Sequence, residues 1–291
     1  MKISGFTIIR NAVLYDYPIV EAISSILPLC DEVLVALGKS DDDTQEMIQG
    51  IGSPKIKIIH TVWDDSLRIG GRVLARETNK ALAAISPDAD WALYIQGDEV
   101  IHEKYLPVIR QAMELYNDDA SVEGLLFNYL HFYGSYDYVG DSRRWYRREV
   151  RVIRNIKGMH SFRDAQGFRI NGKLLHVKPV DATTYHYGWV KPPDKQSAKQ
   201  AVFNRYWHND EWIGHHVPKA NEFNYSGIDA LAVFQESHPQ VMQRRIAACN
   251  WAFSFDPTKK KFSLLARLLH FIEKKTGYRI GEYKNFRLLS K

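Results

Sequence analysis

Cysteine is almost absent. Cys30 and Cys249 are the only two in 291 residues, far apart and without a CxxC context. No disulfide framework or cysteine zinc site is suggested, and a reducing, cytoplasmic setting is the simplest expectation. No apolar run reaches the ~18 residues that a membrane-spanning helix needs. No basic leader with an apolar core precedes the first strand-like run, so no signal peptide is expected. Internal repeats and low-complexity segments are also missing. Acids are scarce at one end only: from Lys259 to Lys291 there are ten Lys/Arg against Glu273 and Glu282. That segment carries +8 of a net +5, which leaves −3 for the rest. The basic character belongs to the tail and not to the main body.

What remains is ordinary in amount and uneven in placement. A hydrophobic share of 45% and a charged share of 25% fit a globular domain large enough for a substantial core. The 7 Trp, 16 Tyr and 13 Phe lie mostly beyond residue 90, which suits a core together with a pocket that stacks on rings.

The first hundred residues alternate between two periodicities. Strands are expected at Ile3–Ile9, Glu32–Leu37, Lys55–Thr61 and Trp91–Ile95, and helices at Tyr17–Leu29, Thr44–Gly50, Arg72–Ile85 and Glu103–Leu115. Such alternation implies a largely parallel sheet covered on both faces. Beyond it, Gly124–Phe132, Glu149–Ile153 and Thr183–Tyr187 read as strands. Lys195–Trp207 and Gln240–Trp251 read as helices, and the tail as a basic amphipathic helix.

Polar groups recur where the early strands end: Arg10-Asn11, Asp41-Asp42-Asp43, Trp63-Asp64-Asp65 and Asp98-Glu99. The carboxyl edge of an open α/β sheet is where ligands bind, and carboxylates there can hold a divalent cation against a diphosphate. Arg72, Arg76 and Asn79 share one face of the third helix, suited to a phosphate or sugar, although a solvated surface would look the same.

These residues resemble the family 2 glycosyltransferases of the GT-A fold. Ile8-Ile9-Arg10-Asn11, Ser40-Asp41-Asp42-Asp43-Thr44, the helix around Arg76 and Asn79, and Gln96-Gly97-Asp98-Glu99 correspond to the opening strand, the Ser-x-Asp-x-Thr turn, the Arg/Asn helix and the Asp-x-Asp region. The resemblance covers roughly residues 1–110, is thinner to 190 and lapses after that. It implies a three-layer α/β/α fold with a mostly parallel central sheet and a C-terminal helical segment. Residues 1–115 would bind a nucleotide-sugar, 116–255 would bind the acceptor and add helices, and 256–291 would form the basic tail. Two departures stand out: Leu37-Gly38 replaces acids that contact the nucleotide, and Gln96 replaces the first acid of the motif. A neutral amide is a poor cation ligand, so Mn²⁺ or Mg²⁺ would rest on Asp98.

The resemblance also implies a late histidine at the metal, for which His186 is best placed, ahead of His160 and His176. A histidine packed among the surrounding aromatics is the competing reading. Arg10, Asn11, Asp42, Arg76, Asn79, Gln96 and Asp98 would line the donor site. Inversion, which the resemblance implies, needs a carboxylate base beyond the metal strand. Asp164 is the first choice, with Glu149 and Asp137 as rivals. The expected reaction moves a sugar from a nucleotide-sugar to a hydroxyl of a glycan or lipid-linked acceptor. The alternatives are a silent glycan- or nucleotide-binding protein on the same scaffold and a sugar nucleotidyltransferase. Against the latter, Arg10-Asn11-Ala12 is not a glycine-rich triphosphate loop. The run Arg143-Arg144-Trp145-Tyr146-Arg147-Arg148 better suits an anionic acceptor or local ion pairs than nucleic acid. The tail helix would either complete the core or lie on an anionic membrane.

Overall fold

The computed structural model describes residues 1–216 and 221–289. Its first half runs β1 (Ile3–Ile9), α1 (Ile19–Ile26), β2 (Glu32–Gly38), α2 (Thr44–Gln49), β3 (Ile56–Thr61), α3 (Arg72–Ala83), β4 (Trp91–Tyr94), β5 (Glu99–Ile101) and α4 (Leu106–Leu115). The second half holds β6 (Gly124–Tyr133), β7 (Ser135–Gly140), β8 (Arg148–Arg154), β9 (Met159–Phe162), β10 (Gly167–Ile170), β11 (Lys173–Trp189), α5 (Pro193–Phe203), α6 (Asp210–His216), β12 (Leu231–Val233), α7 (Gln243–Ala247), α8 (Leu264–Thr276) and β13 (Phe286–Leu288).

The fold is α/β, built on one large curled sheet with the order β3-β2-β1-β4-β8-β6-β11-β10-β9. Pairing is parallel across β3-β2-β1-β4 and again between β6 and β11, whereas β8 runs antiparallel to both of its neighbours. Successive side chains of a strand point to opposite faces, and here both faces are apolar. Ile3, Ile9, Val33, Val35, Trp91 and Leu93 pack with α1 and α4 on one side. Phe6, Ile8, Leu34, Ala36, Ala92 and Tyr94 pack on the other side with Ala81 and Leu82 of α3 and with Phe168 of β10.

Three expected elements differ in extent. The strand expected at Thr183–Tyr187 is the end of the 17-residue β11, which is bent by register shifts between Pro179 and Thr183 and between His186 and Trp189. The helix expected at Lys195–Trp207 starts earlier and gives way to a 3₁₀ turn at Asn204–Tyr206. Only Gln240–Ala247 of Gln240–Trp251 is helical, because the chain turns off so that Trp251 Nε1 can donate to the Gly134 carbonyl at 2.8 Å. The tail returns to the sheet through β13, parallel to β11 at Leu175–Val177. Lys291 lies outside the described residues.

Candidate functional site

A cleft of about 1190 Å³ opens at the carboxyl edge of β1 and β4, where the sheet topology predicts a ligand. Its floor is formed by Gln96, Gly97 and Asp98, and its far wall by residues of the second half.

Asp98 and Glu99 are neighbours with opposite environments. Asp98 lines the cleft, while Glu99 turns into the core and meets Arg151 at 2.5 and 2.8 Å, both side chains fully buried. The Tyr129 hydroxyl also donates to Glu99. Glu99 is thus an internal counter-ion, withdrawn from any cation in the cleft.

Strand β11 delivers the histidine. Its antiparallel pairing with β5 sets His186 opposite Glu99, and its Nε2 comes within 3.6 Å of Asp98 Oδ2. Gly188 keeps this approach open, since a Cβ there would sit 2.5 Å from His186 Nε2 and 2.6 Å from Asp98 Oδ2. A hydrogen-bond relay orients the ring. His131 Nε2 faces the Tyr146 carbonyl at 3.0 Å, and its Nδ1 lies 3.2 Å from His186 Nδ1. Burial, reinforced by His186, holds His131 well below the usual histidine range, so that ring is neutral at pH 7. A carbonyl can only accept, so the His131 proton is on Nε2 and its Nδ1 accepts from His186 Nδ1. That bond fixes the ring with its Nε2 towards Asp98.

Two lysines absent from the sequence-based expectations complete this centre. Lys199 of α5 places Nζ 3.1 Å from Asp98 Oδ2 and 2.9 Å from the Gly188 carbonyl. Burial by itself would raise the Asp98 pKa, but Lys199 and His186 hold it well below the usual carboxylate range. Lys191 is fully buried and donates to the Tyr15 carbonyl at 2.8 Å. Burial, aided by Lys199, takes it well below the ordinary lysine range. The Tyr17 ring lies 4.4 Å from Lys191 Nζ and 4.9 Å from Lys199 Nζ.

Asp98 and His186 fit as two protein ligands of a hard divalent cation, one carboxylate and one imidazole nitrogen beside an open space. Water and donor phosphates would complete such a shell. Among the described residues no three His, Cys, Asp or Glu side chains are placed to hold a metal ion together, and Lys199 shares the same carboxylate oxygen.

Gln96 has a positive role. Its Nε2 donates to the Ala165 carbonyl at 3.3 Å, a bond that a carboxylate at this position could not make. Arg151 donates to the Gln166 carbonyl at 3.2 Å from the other side. The loop tethered by these two bonds holds Arg163 and Ala165 at φ of 56° and 62°, a conformation that L-residues seldom adopt. Asp164, between them, lines the cleft, and among the described residues its carboxylate has no hydrogen-bond or ion-pair partner.

The two rival bases are placed otherwise. Glu149 is buried outside the cleft lining, bonded by Gln166 at 2.8 Å and by Asn285 at 3.2 Å, and burial raises it to about 7 despite Arg151. Asp137 is exposed on β7 and also lies outside the cleft lining.

The donor-side residues divide. Arg10 and Asn11 line the cleft, with Arg10 paired to Asp65 at 2.9 Å. Gly38, standing where an acid was expected, makes room for Trp63: a Cβ there would come within 2.7 Å of Trp63 Cδ1. Trp63 and Tyr206 form an aromatic wall with ring centres 5.9 Å apart. Three expected donor residues lie outside the lining. Asp42 accepts from the Leu14 amide at 2.7 Å and from Thr44 at the start of α2, so it caps a turn. Arg76 is exposed and pairs with Asp64 at 2.9 Å. Asn79 ties α3 to β9, accepting from the Ser161 amide at 2.7 Å. His160 and His176 also lie outside it, bonded to the Gly158 carbonyl and to Glu123.

No family model and no curated protein matches the chain. Among solved structures, the chain is similar to glucosyl-3-phosphoglycerate synthase from Mycobacterium tuberculosis, in a complex with Mn²⁺, uridine diphosphate and phosphoglyceric acid. That match has 21% identity and a TM-score of 0.31, over 45% of this chain and 43% of the other. It is also similar to S. aureus TarS at 12% identity and a TM-score of 0.40, over 75% and 46% of the two chains. The chain thus spans under half the length of these proteins. Likeness at this level leaves donor and acceptor undefined, and the functional reading rests on the cleft.

Proposed function

We propose that the protein transfers a sugar from a nucleoside-diphosphate-sugar to an acceptor hydroxyl, with inversion at the anomeric carbon. The carrying observation is the centre at the end of β4, where Asp98, His186 and Lys199 converge in a cleft that also holds the unpaired Asp164. A diphosphate is a leaving group whose negative charge grows as the glycosidic bond breaks, and fixed cations lower that barrier. Lys199 supplies one such charge from a helix anchored by Gly188. A divalent cation held by Asp98 and His186, when bound, would add charge at the same diphosphate. In the transfer, the acceptor oxygen bonds to the anomeric carbon while the sugar–phosphate oxygen bond breaks. The electron pair leaves on the diphosphate and the acceptor proton passes to Asp164. Arg10 and the Trp63–Tyr206 wall would face the nucleotide. Trp145 and Trp189 offer stacking surfaces to a glycan or lipid-linked acceptor.

A panel of nucleotide-sugars, assayed for slow donor hydrolysis with Mn²⁺, Mg²⁺ or chelator, tests the reading. Release of one nucleoside diphosphate is expected. Tight nucleotide binding without turnover would instead favour a silent binding protein, a reading supported by Gln96 in place of an acid and by Lys199 seated on Asp98. No binding and no release with any donor would end the proposal.

A further inference from the structure

Helix α8 leaves an apolar stripe in solvent. Ser263 caps its start by accepting from the Ala266 amide, Gly277 ends it in a left-handed conformation, and none of its residues is buried. Ion pairs made by the helix and by Lys260 just before it fasten it to the domain, beside the half-buried Ala266, Leu269 and Ile272. Lys274 and Lys260 reach Asp141 at 2.7 and 2.6 Å, and Glu273 accepts from Arg143 and Arg279, each at 2.9 Å. Four apolar residues face outwards: Leu264 is 85% exposed, Leu265 66%, Leu268 56% and Phe271 59%. At 100° per residue these four fall within about 120° of arc, a continuous stripe along a helix about 20 Å long. Ion pairs hold the helix with its hydrophobic face in water, an arrangement that costs free energy unless something covers the stripe.

The charges around the stripe indicate what covers it. Both acids of the tail are consumed inwards, Glu273 as above and Glu282 by Arg147 and Arg148. The exposed cations Arg267 and Lys275 have no hydrogen-bond or ion-pair partner among the described residues, and Lys259 is 81% exposed. A second copy of this face would meet the stripe with like charge. An anionic lipid surface complements both features, taking the leucines and Phe271 into the acyl boundary and the cations among its headgroups. Among the described residues no helix is long and apolar enough to cross a membrane, so the contact would be peripheral.

We infer that α8 docks the protein on an anionic membrane surface through Leu264, Leu265, Leu268 and Phe271. The inference stands apart from the transfer reading, since it rests on none of the cleft residues. It bears on that reading in one respect. Arg279, just after α8, donates to the Trp145 carbonyl at 2.6 Å, so the docked helix would buttress a wall of the cleft.

Co-sedimentation of the full chain with phosphatidylcholine vesicles, with and without phosphatidylglycerol, tests the inference. The protein should pellet only with the anionic vesicles and be released by salt. Leu268→Glu with Phe271→Glu, both more than half exposed, should weaken partition by at least about tenfold, and Arg267→Glu with Lys275→Glu by about tenfold. Failure to pellet, or equal pelleting of the wild type and the Leu268/Phe271 variant, would overturn it. So would a concentration-dependent dimer abolished by that same variant, which would assign the stripe to a second copy.

Discussion

The two halves of the sheet build the same cleft by different means. From β1 to β4 the strands are parallel, β1, β2 and β3 are each followed by a helix, and the cleft residues sit beyond the strand ends, as Arg10, Asn11 and Asp98 do. From β6 to β11 the sheet is mixed, β11 runs for 17 residues past several partners, and the cleft residues come from mid-strand, loop and helix. The first half places functional groups by local rule. The second places them by long-range pairing, and there single groups must be both buried and paired.

If that contrast is right, breaking the pairing at Asp98 should have the largest effect. Asp98→Asn is expected to lower transfer by about 10³-fold. It should also cost about 3 kcal/mol of stability, because it leaves the buried Lys199 without its counter-ion. The double variant Asp98→Asn/Lys199→Met should regain stability in a denaturant melt and stay inactive. A single variant as stable as the wild type would remove Lys199 from the centre.

Asp164→Asn is expected to lower turnover by about 10²-fold. Its melt should stay within ~0.5 kcal/mol, since the carboxylate makes no bond among the described residues. Unchanged turnover would return the search for the base to the second half.

Glu149 offers a sharper test of burial in that half. Burial raises its folded pKa from 4.5 to about 7, so between these values the folded protein keeps a proton that the unfolded chain has released. Its contribution is complete below the unfolded pKa and is lost as pH rises through the folded one. Glu149→Gln should remove that decline, worth roughly 2 to 4 kcal/mol, seen as a flatter dependence of the melting temperature on pH. A wild-type melt already flat in this window would overturn the assignment.

The smallest effects belong to the first half. Asp42→Ala should cost about 1 kcal/mol through lost turn bonds. Arg76→Ala should change stability by less than ~0.5 kcal/mol, because its ion pair with Asp64 is exposed. Both should leave donor affinity within about twofold in calorimetry, and a large loss in either would restore that residue to the donor site.

Asp42, Arg76 and Asn79 lie outside the cleft lining. Their spacing places them near strand ends and on one helix face, but α3 turns that face towards Asp64 and β9 instead of the cleft. Lys191 and Lys199 show where local reading falls short. In sequence one precedes an ordinary polar helix and the other lies in its middle, and nothing local distinguishes a buried lysine from a solvated one. Gln96 lies between these cases. It is visible as a missing acid, whereas its bond to Ala165 depends on a loop 69 residues away.

The sequence by itself determined the strand–helix alternation and the acidic end of β4, because the periodicities of strand and helix are written within a dozen residues. Tertiary structure alone decided which of two adjacent acids would face the cleft. Asp98 sits in a turn closed by the Glu99 amide on the Gln96 carbonyl at 3.1 Å, whereas Glu99 opens β5, so the two acids leave the backbone in different settings. The partners that fix the choice, Arg151 for Glu99 and Lys199 for Asp98, lie 52 and 101 residues along the chain. No local pattern carries information over that distance.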